Sequence, residues 1–334
     1  MQLTALVDSL KDPAIYPQST GEVTLMQTQM SLVFLTGEYV YKIKKPVDLG
    51  YLDYTTLEKR HYFCQQEVKL NNRLSSDVYL GVVPITEQNG RIYLERPGRA
   101  VEYAVKMRQL PTDRMMNVLL PQNRVSESML RDVAERLARF HKLAETNDEI
   151  SSYGSLEAIR LNTDENFSQT RKYVDVSLSD RQYTEIADFT NRFIAEEVSF
   201  FGKRVGHGRI RDCHGDLHSA HVCFTNGVCI YDCIEFNDRF RYSDVASEIA
   251  FLAMDLDFHQ RPDLSRSFVT SYVNFSGDQQ LLRLLNFYKC YRAYVRGKVE
   301  SFKFDDPMIQ EGDKPVILSA ARRYFELAQT YACP

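Results

Sequence analysis

The sequence is short of several things, and each shortage removes a class of protein. No run of uncharged apolar residues approaches the ~18 that a membrane-spanning helix needs, so no membrane partner is expected. The opening MQLTALVDSLKDPAIYP has no cationic leader, and Asp8, Lys11 and Asp12 interrupt its apolar stretch, so it does not read as a secretory signal. The seven cysteines are odd in number, irregularly spaced and without a CxxC pair. That pattern argues against a disulfide framework or a zinc ribbon and for a reducing, cytoplasmic home. Positive charge is not in excess. The 41 Lys and Arg against 45 Asp and Glu leave a formal net charge of −4, which gives no electrostatic footprint for a nucleic-acid partner. There is no internal repeat and no low-complexity segment.

What is present is enough chain for two lobes, since 334 residues exceed the ~250 to 300 at which single cores stop growing. The pattern changes along the chain, which predicts a β-rich lobe over 1–110, a helical lobe over 111–334 and a hinge near 108–112. In the first part, VTLMQTQMSLVFLTGEYVYKIK (23–44) holds two or three short strands, with the turn between the last two at 36–38. TTLEKRHYFCQQEVKLNNRL follows as a helix, opened by Thr55 with Glu58 three residues on, a capping box. Further strands are expected over 78–85, 91–95 and 101–110. Beyond Pro111, Leu130, Val133, Leu137, Phe140 and Ala144 form the apolar stripe of a helix over 126–145. Others are expected over 162–173, 180–200, 243–256 and 279–303.

The densest chemistry lies in CHGDLHSAHVCF (213–224), which sets Asp216 among His214, His218 and His221 in a chain with seven histidines in all. VCFTNGVCIY (222–231) is two β-prone quartets around Asn226-Gly227, the pattern of a type I′ hairpin. A two-residue loop places Val222 opposite Tyr231 and His221 opposite Asp232, with facing Cβ atoms roughly 5 Å apart. The hairpin thus carries Asp232 back beside the end of HGDLHSAH.

HGDLHSAH resembles the catalytic loop of the aminoglycoside phosphotransferase and choline kinase branch of the protein-kinase-like superfamily, whose pattern is His-Gly-Asp-Leu-His-x-x-Asn. The hairpin and YDCIEF are similar to its strand pair and metal-binding aspartate. IYDCIEFNDRFRYSDVASEIAFLAMDL (230–256) also resembles bacterial aminoglycoside-phosphotransferase-like proteins, some of which carry a P-loop kinase domain; no GxxxxGKS/T occurs here. The resemblance is sharp over 209–256 and extends more weakly over most of the chain. It implies a two-lobed, kinase-like α+β fold and transfer of the γ-phosphoryl group of ATP or GTP to a hydroxyl-bearing small molecule.

Roles follow from it residue by residue. EYVYKIKKP is similar to the third strand that carries the nucleotide-binding lysine. Val40, Lys42 and Lys44 share one strand face, so alternation does not choose between the lysines, and the family's apolar-x-Lys placement favours Lys42. Phe63, Glu67, Leu70 and Leu74 follow one helical face, and a carboxylate within an apolar stripe is costly to bury unpaired. Glu67 is therefore the expected partner of Lys42, with Glu58 explained by the capping box. The resemblance makes Asp216 the acceptor of the hydroxyl proton and Asp232 the ligand of Mg²⁺, with His218 in the place of a phosphate-contacting cation. His214 and Gly215 would support the loop. Asp244 resembles the aspartate that holds this loop from the following helix, and N-terminal capping explains it equally. His141 lies on an apolar stripe and reads as a core histidine.

His221 departs from the pattern's asparagine, the second metal ligand. Imidazole suits zinc or manganese better than magnesium, so Mn²⁺ becomes an alternative cation and a nucleotide-binding pseudokinase an alternative function. A third reading takes His214, His218 and His221 as one helical face binding zinc in a hydrolase; Gly215 and the immediate hairpin oppose it. The acceptor stays open. Glu235, Asp238, Asp255 and Asp257 suit an amine, whereas Lys289, Arg292 and Arg296 suit an anion.

Overall fold

In the computed structural model, which describes residues 3–18, 21–306 and 309–333, helix α1 (Leu3–Leu10) precedes strands β1 (Thr24–Gln27), β2 (Ser31–Leu35) and β3 (Tyr39–Lys44). Helix α2 (Leu57–Ser75) and strands β4 (Tyr79–Gln88), β5 (Arg91–Leu94) and β6 (Ala100–Arg108) complete the β-rich part. Helices α3 (Met116–Leu119), α4 (Glu127–Leu143), α5 (Asp148–Ser152), α6 (Leu156–Thr170), α7 (Asp180–Glu196) and α8 (Val198–Gly206) come next. The short β7 (Ile210–Asp212), the hairpin β8 (Val222–Thr225) and β9 (Gly227–Ile230), α9 (Asp238–Arg241) and β10 (Tyr242–Asp244) follow. Four long helices close the chain: α10 (Val245–Phe258), α11 (Pro262–Ser276), α12 (Leu281–Phe304) and α13 (Lys314–Ala332). Two compact units result, residues 1–115 with 221–238, and residues 116–220 with 239–334.

The first unit is built on a six-stranded antiparallel sheet in the order β1-β2-β3-β6-β4-β5. Strand alternation decides what each face carries. Tyr41 and Ile43 of β3 enter a core with Phe34, Ile85 and Ala104, closed by Leu6 and Leu10 of α1. The intervening Lys42 and Lys44 project from the other face. That face also carries Val105, which packs with Cys64 of α2 and with Cys223 and Cys229 of the hairpin. Burial of such side chains stabilises the unit by roughly 1.5–3 kcal/mol for each large aliphatic or aromatic group.

Two local expectations are corrected. Helix α2 is capped by Thr56, whose hydroxyl accepts from Lys59 N–H at 3.2 Å, and not by Thr55. Thr55 is already committed, since both its N–H and its hydroxyl donate to Asp53. The hairpin turns one residue earlier than a type I′ loop would. Only Gly227 has positive φ (131°), whereas type I′ requires it at Asn226 too. Phe224 therefore pairs with Val228 and Val222 with Ile230, so His221 lies opposite Tyr231 and accepts its N–H at 3.1 Å. A one-residue slip would turn Asp232 to the wrong face. Asp232 instead leaves the strand in the left-handed region (φ 63°), and its carboxylate returns to His221.

The second unit is organised around α10, in which every residue from Val245 to Leu256 is buried. A helix buried on all sides belongs at the centre of a bundle, and α11 and α12 pack against it. A second layer joins α6, α7, α12 and α13 through Phe167, Ile186, Tyr294 and Phe325. The helix expected over 180–200 is two helices, interrupted at Glu197, and that expected over 162–173 begins earlier, at the Ser155 cap. Helices α12 and α13 meet at Gly297, where a Cβ would stand 2.9 Å from the Phe325 ring. Gly297→Ala should therefore cost about 1–3 kcal/mol by overpacking, seen as a lower thermal midpoint. Gly202→Ala, at an exposed position of α8 with open space around it, should raise the midpoint, because alanine loses less backbone entropy than glycine.

Candidate active site

In the first unit, one buried carboxylate organises the charges. Glu67 of α2 has no solvent exposure and holds a lysine on each oxygen: Lys42 Nζ at 2.8 Å from Oε1 and Lys44 Nζ at 2.7 Å from Oε2. The two lysines then diverge. Lys42 reaches Asp232 Oδ1 at 2.7 Å and keeps 15% side-chain exposure. Lys44, 1% exposed, donates to Glu235, which also accepts the Tyr54 hydroxyl at 2.6 Å. Burial opposes every charge in this network, yet the opposite charges outweigh it. Asp232 and Glu67 hold Lys42 well above the ordinary lysine value, Glu235 and Glu67 do the same for Lys44, and the two lysines hold Glu67 below the usual carboxylate range. Asp232 is the most open member, with 39% side-chain exposure. Its N–H donates to the Tyr79 hydroxyl at 3.1 Å, and its Oδ2 lies 3.5 Å from His221 Nε2.

Two residues that the sequence reading passed over fix the hairpin to α2. Asn71 Oδ1 accepts the N–H of Cys233 at 2.9 Å, and the Ser75 hydroxyl donates to Ile230 O at 2.6 Å. Both are buried, and with Glu67 they stand at i, i+4 and i+8 on one face of α2. That spacing of polar residues was the available signal.

In the second unit, the HGD loop is held mostly through its backbone. Gly215 takes φ 90°, a conformation that L side chains resist. Glu248 of α10, which the sequence reading did not single out, accepts the N–H groups of His214 (2.6 Å) and Gly215 (2.8 Å) on Oε1. Its Oε2 meets His141 Nε2 at 2.6 Å, and His141 Nδ1 lies 2.7 Å from the Tyr272 hydroxyl. Asp255 accepts Ser219 N–H at 2.8 Å, and Arg292 donates to Gly215 O at 3.3 Å. His214 is fully buried, and its Nδ1 accepts the N–H of Asp216 at 3.3 Å. The Asp216 carboxylate keeps 34% exposure with His218 Nε2 at 3.6 Å, the imidazole itself packed near Phe251.

Asp244 does not hold this loop. It caps α10 through Ala246 N–H at 2.8 Å and receives a two-pronged contact from Arg204, at 2.6 and 2.9 Å, buried on both sides. Nor do His214, His218 and His221 form one helical face. Residues 213–218 are irregular, with His214 turned into the core, so the zinc-hydrolase arrangement lacks its scaffold.

A strand lysine paired with a buried helix glutamate and an aspartate-bearing loop pinned from a central helix define a two-lobed, protein-kinase-like α+β protein. Residues 107–285 match the sequence model of the phosphotransferase enzyme family (APH), and the chain belongs to that family. Uncharacterized proteins of Mycobacterium tuberculosis and Mycobacterium bovis are 34% identical over 283 residues, 84% of this chain and 55% of theirs. The chain thus spans about half the length of these curated relatives. Among solved structures, the GDP complex of aminoglycoside 2'-phosphotransferase-IIIa superposes with a TM-score of 0.57 at 14% identity, covering 98% of this chain and 99% of the other. An amicoumacin kinase in complex with AMP-PNP and Ca²⁺ gives 0.56 at 12% identity, with coverages of 97% and 93%. A choline/ethanolamine kinase family protein from Mesorhizobium loti gives 0.54 at 12%, with 98% of each chain covered. These likenesses establish the fold.

The Glu248 anchor carries a pH signature. Burial raises its pKa, but the His141 hydrogen bond and the charges and N–H groups around it bring it down from 4.5 to about 2. A carboxylate depressed in the folded state stabilises fully above about 4.5, and that contribution is lost as pH falls toward about 2. Glu248→Gln should lower stability at pH 7 and flatten the acid limb across that window in urea unfolding curves.

Proposed function

We propose that the protein transfers the γ-phosphoryl group of ATP or GTP to a hydroxyl of a small-molecule acceptor. The observation that carries this reading is Lys42, the one lysine of the Glu67 pair that keeps solvent access and the one that touches Asp232. In this reading Lys42 holds the nucleotide phosphates and Glu67 fixes its ammonium, while the sealed Lys44 serves as a strut between Glu67 and Glu235. Asp216 accepts the hydroxyl proton and aims the oxygen, with His218 beside it and the loop held rigid by Glu248, Asp255 and Arg292. His214 and Gly215 support the loop, and Asp244 the start of α10, without touching the reacting groups.

The donor set fits a divalent cation. Asp232 offers a solvent-accessible carboxylate, the donor that Mg²⁺ prefers, and His221 stands at its second oxygen, which favours Mn²⁺ over Mg²⁺ relative to an amide ligand. When bound, the cation supplies charge neutralisation across the phosphates. A cytoplasmic setting, where nucleotide is abundant and thiols are reduced, accords with seven free cysteines. The pseudokinase alternative has only the His221 departure in its favour, whereas the chemistry of Lys42, Glu67, Asp216 and Asp232 supports the transfer reading.

ATP or GTP with Mg²⁺ or Mn²⁺ should raise the melting temperature in a cation-dependent way; no shift with any pair would refute nucleotide binding. Asp216→Asn should lower turnover on the order of 10²- to 10⁴-fold while keeping the nucleotide shift, and unchanged turnover would remove Asp216 from its role. Lys42→Met and Lys44→Met should separate cleanly. The first abolishes the nucleotide shift, and the second lowers stability by roughly 3–5 kcal/mol, the usual result of breaking a buried pair.

A further inference from the structure

The acceptor's chemistry narrows once the charges of the helical unit are matched with their partners. Of the acidic residues that would suit an amine, Glu235, Asp255 and Asp257 are committed internally, whereas Asp238 lies exposed at the start of α9. Asp255 accepts Ser219 N–H, and Asp257 takes Lys289 at 2.8 Å and the Tyr331 hydroxyl at 2.5 Å. Glu165 holds Arg239 and accepts Gln169 at 3.2 Å, and Glu300 takes Arg296 at 3.4 Å and Lys303 at 2.8 Å. Glu235, in the other unit, belongs to Lys44 and Tyr54.

Where α6 faces α12, the unmatched group is a donor. Lys298 of α12 gives its ammonium to two neutral oxygens, Asn166 Oδ1 at 2.5 Å and Gln169 Oε1 at 2.9 Å. Among the described residues no carboxylate lies within ion-pair distance of it. Burial lowers its pKa to about 8, which Glu165 offsets only in part and Arg239 reinforces. Asn166 is 5% exposed, and with its oxygen turned to Lys298 its Nδ2 has no partner. Arg239 joins the same helix α6 through Asn162 Oδ1 at 2.6 Å. On the opposite face of α12, two residues before Lys298, Arg296 lies in the field of Asp216, and its buried Nε lacks an acceptor as well. A buried donor left without an acceptor is costly, and an oxygen-rich anion beside Lys298 and Asn166 would supply the missing acceptor.

We propose, resting on the phosphotransfer reading, that the acceptor is a hydroxyl compound bearing a carboxylate or phosphate, recognised by Lys298 and Asn166, and not a polyamine. In the reaction the acceptor oxygen bonds to the γ-phosphorus and the bond from that phosphorus to the β–γ bridging oxygen breaks. The products are the phosphorylated anion and the nucleoside diphosphate, with the hydroxyl proton passed to Asp216.

Calorimetry on the full chain, without nucleotide, against gluconate, glucose 6-phosphate, glucose and kanamycin tests this. One or both anions should bind at least about tenfold more tightly than glucose, and the stronger of the two identifies carboxylate or phosphate. Lys298→Met and Asn166→Leu should each remove that advantage, the loss expected of one charge-assisted hydrogen bond, while the ATP-Mg²⁺ thermal shift stays and reports an intact fold. Anions that bind no better than glucose, tighter binding or phosphorylation of kanamycin, or an anion preference that survives Lys298→Met would each overturn the proposal. Loss of the nucleotide shift in the wild type, with anion binding still dependent on Lys298, would instead remove the phosphotransfer reading and leave an anion-binding protein.

Discussion

A single buried carboxylate, Glu67, is the constraint on which the first unit depends. Two ammonium groups on one strand face would repel each other and resist burial, and nothing in the sheet itself offers them an anion. Glu67 supplies one oxygen to each, which fixes the distance of α2 from β3 and makes the charged layer tolerable in a region otherwise lined by Cys64, Val78 and Val105. Isolated removal of any member leaves an uncompensated charge, so the network is held together by mutual need more than by net attraction. The same face of α2 then secures the hairpin through Asn71 and Ser75, and this brings Asp232 to Lys42.

The second unit repeats the device with a different object. Glu248, also fully enclosed, neutralises no lysine; one of its oxygens collects two loop N–H groups while the other meets His141. A loop containing a glycine at positive φ has backbone donors that no regular structure satisfies, and a carboxylate from the central helix satisfies them without water. Asp216 is left partly exposed on a support that has little freedom to move. Positioning of this kind is what a reaction with a loose transition state demands of a protein.

Much of this was legible. The alternation of β3, the apolar stripe that isolates Glu67, the HGD loop and the β-prone quartets of the hairpin are local patterns, and each led to an element or a contact found in the structure. Errors arose where two local signals competed. Thr55 and Thr56 are equally good caps until Asp53 claims one of them. Asn226-Gly227 signals a two-residue turn, but one left-handed residue in the loop and another at Asp232 give a different register with the same meeting of side chains. Helix α11 went unread although Pro262 at its start and Gly277 at its end are ordinary signals and Leu264, Phe268, Tyr272 and Val273 line one face of it.

The sequence by itself determined most of the secondary elements and the inventory of chemical groups, because propensity, periodicity and turn chemistry act over a few residues. Only the tertiary structure sealed Lys44 against Glu235 and left Lys42 open beside Asp232, gave Asp244 to Arg204, and selected Glu248 and Asp255 as the loop's anchors. Those choices depend on which oxygens and N–H groups come within 3 Å across long stretches of chain and on how much water remains beside them, and no local pattern encodes either.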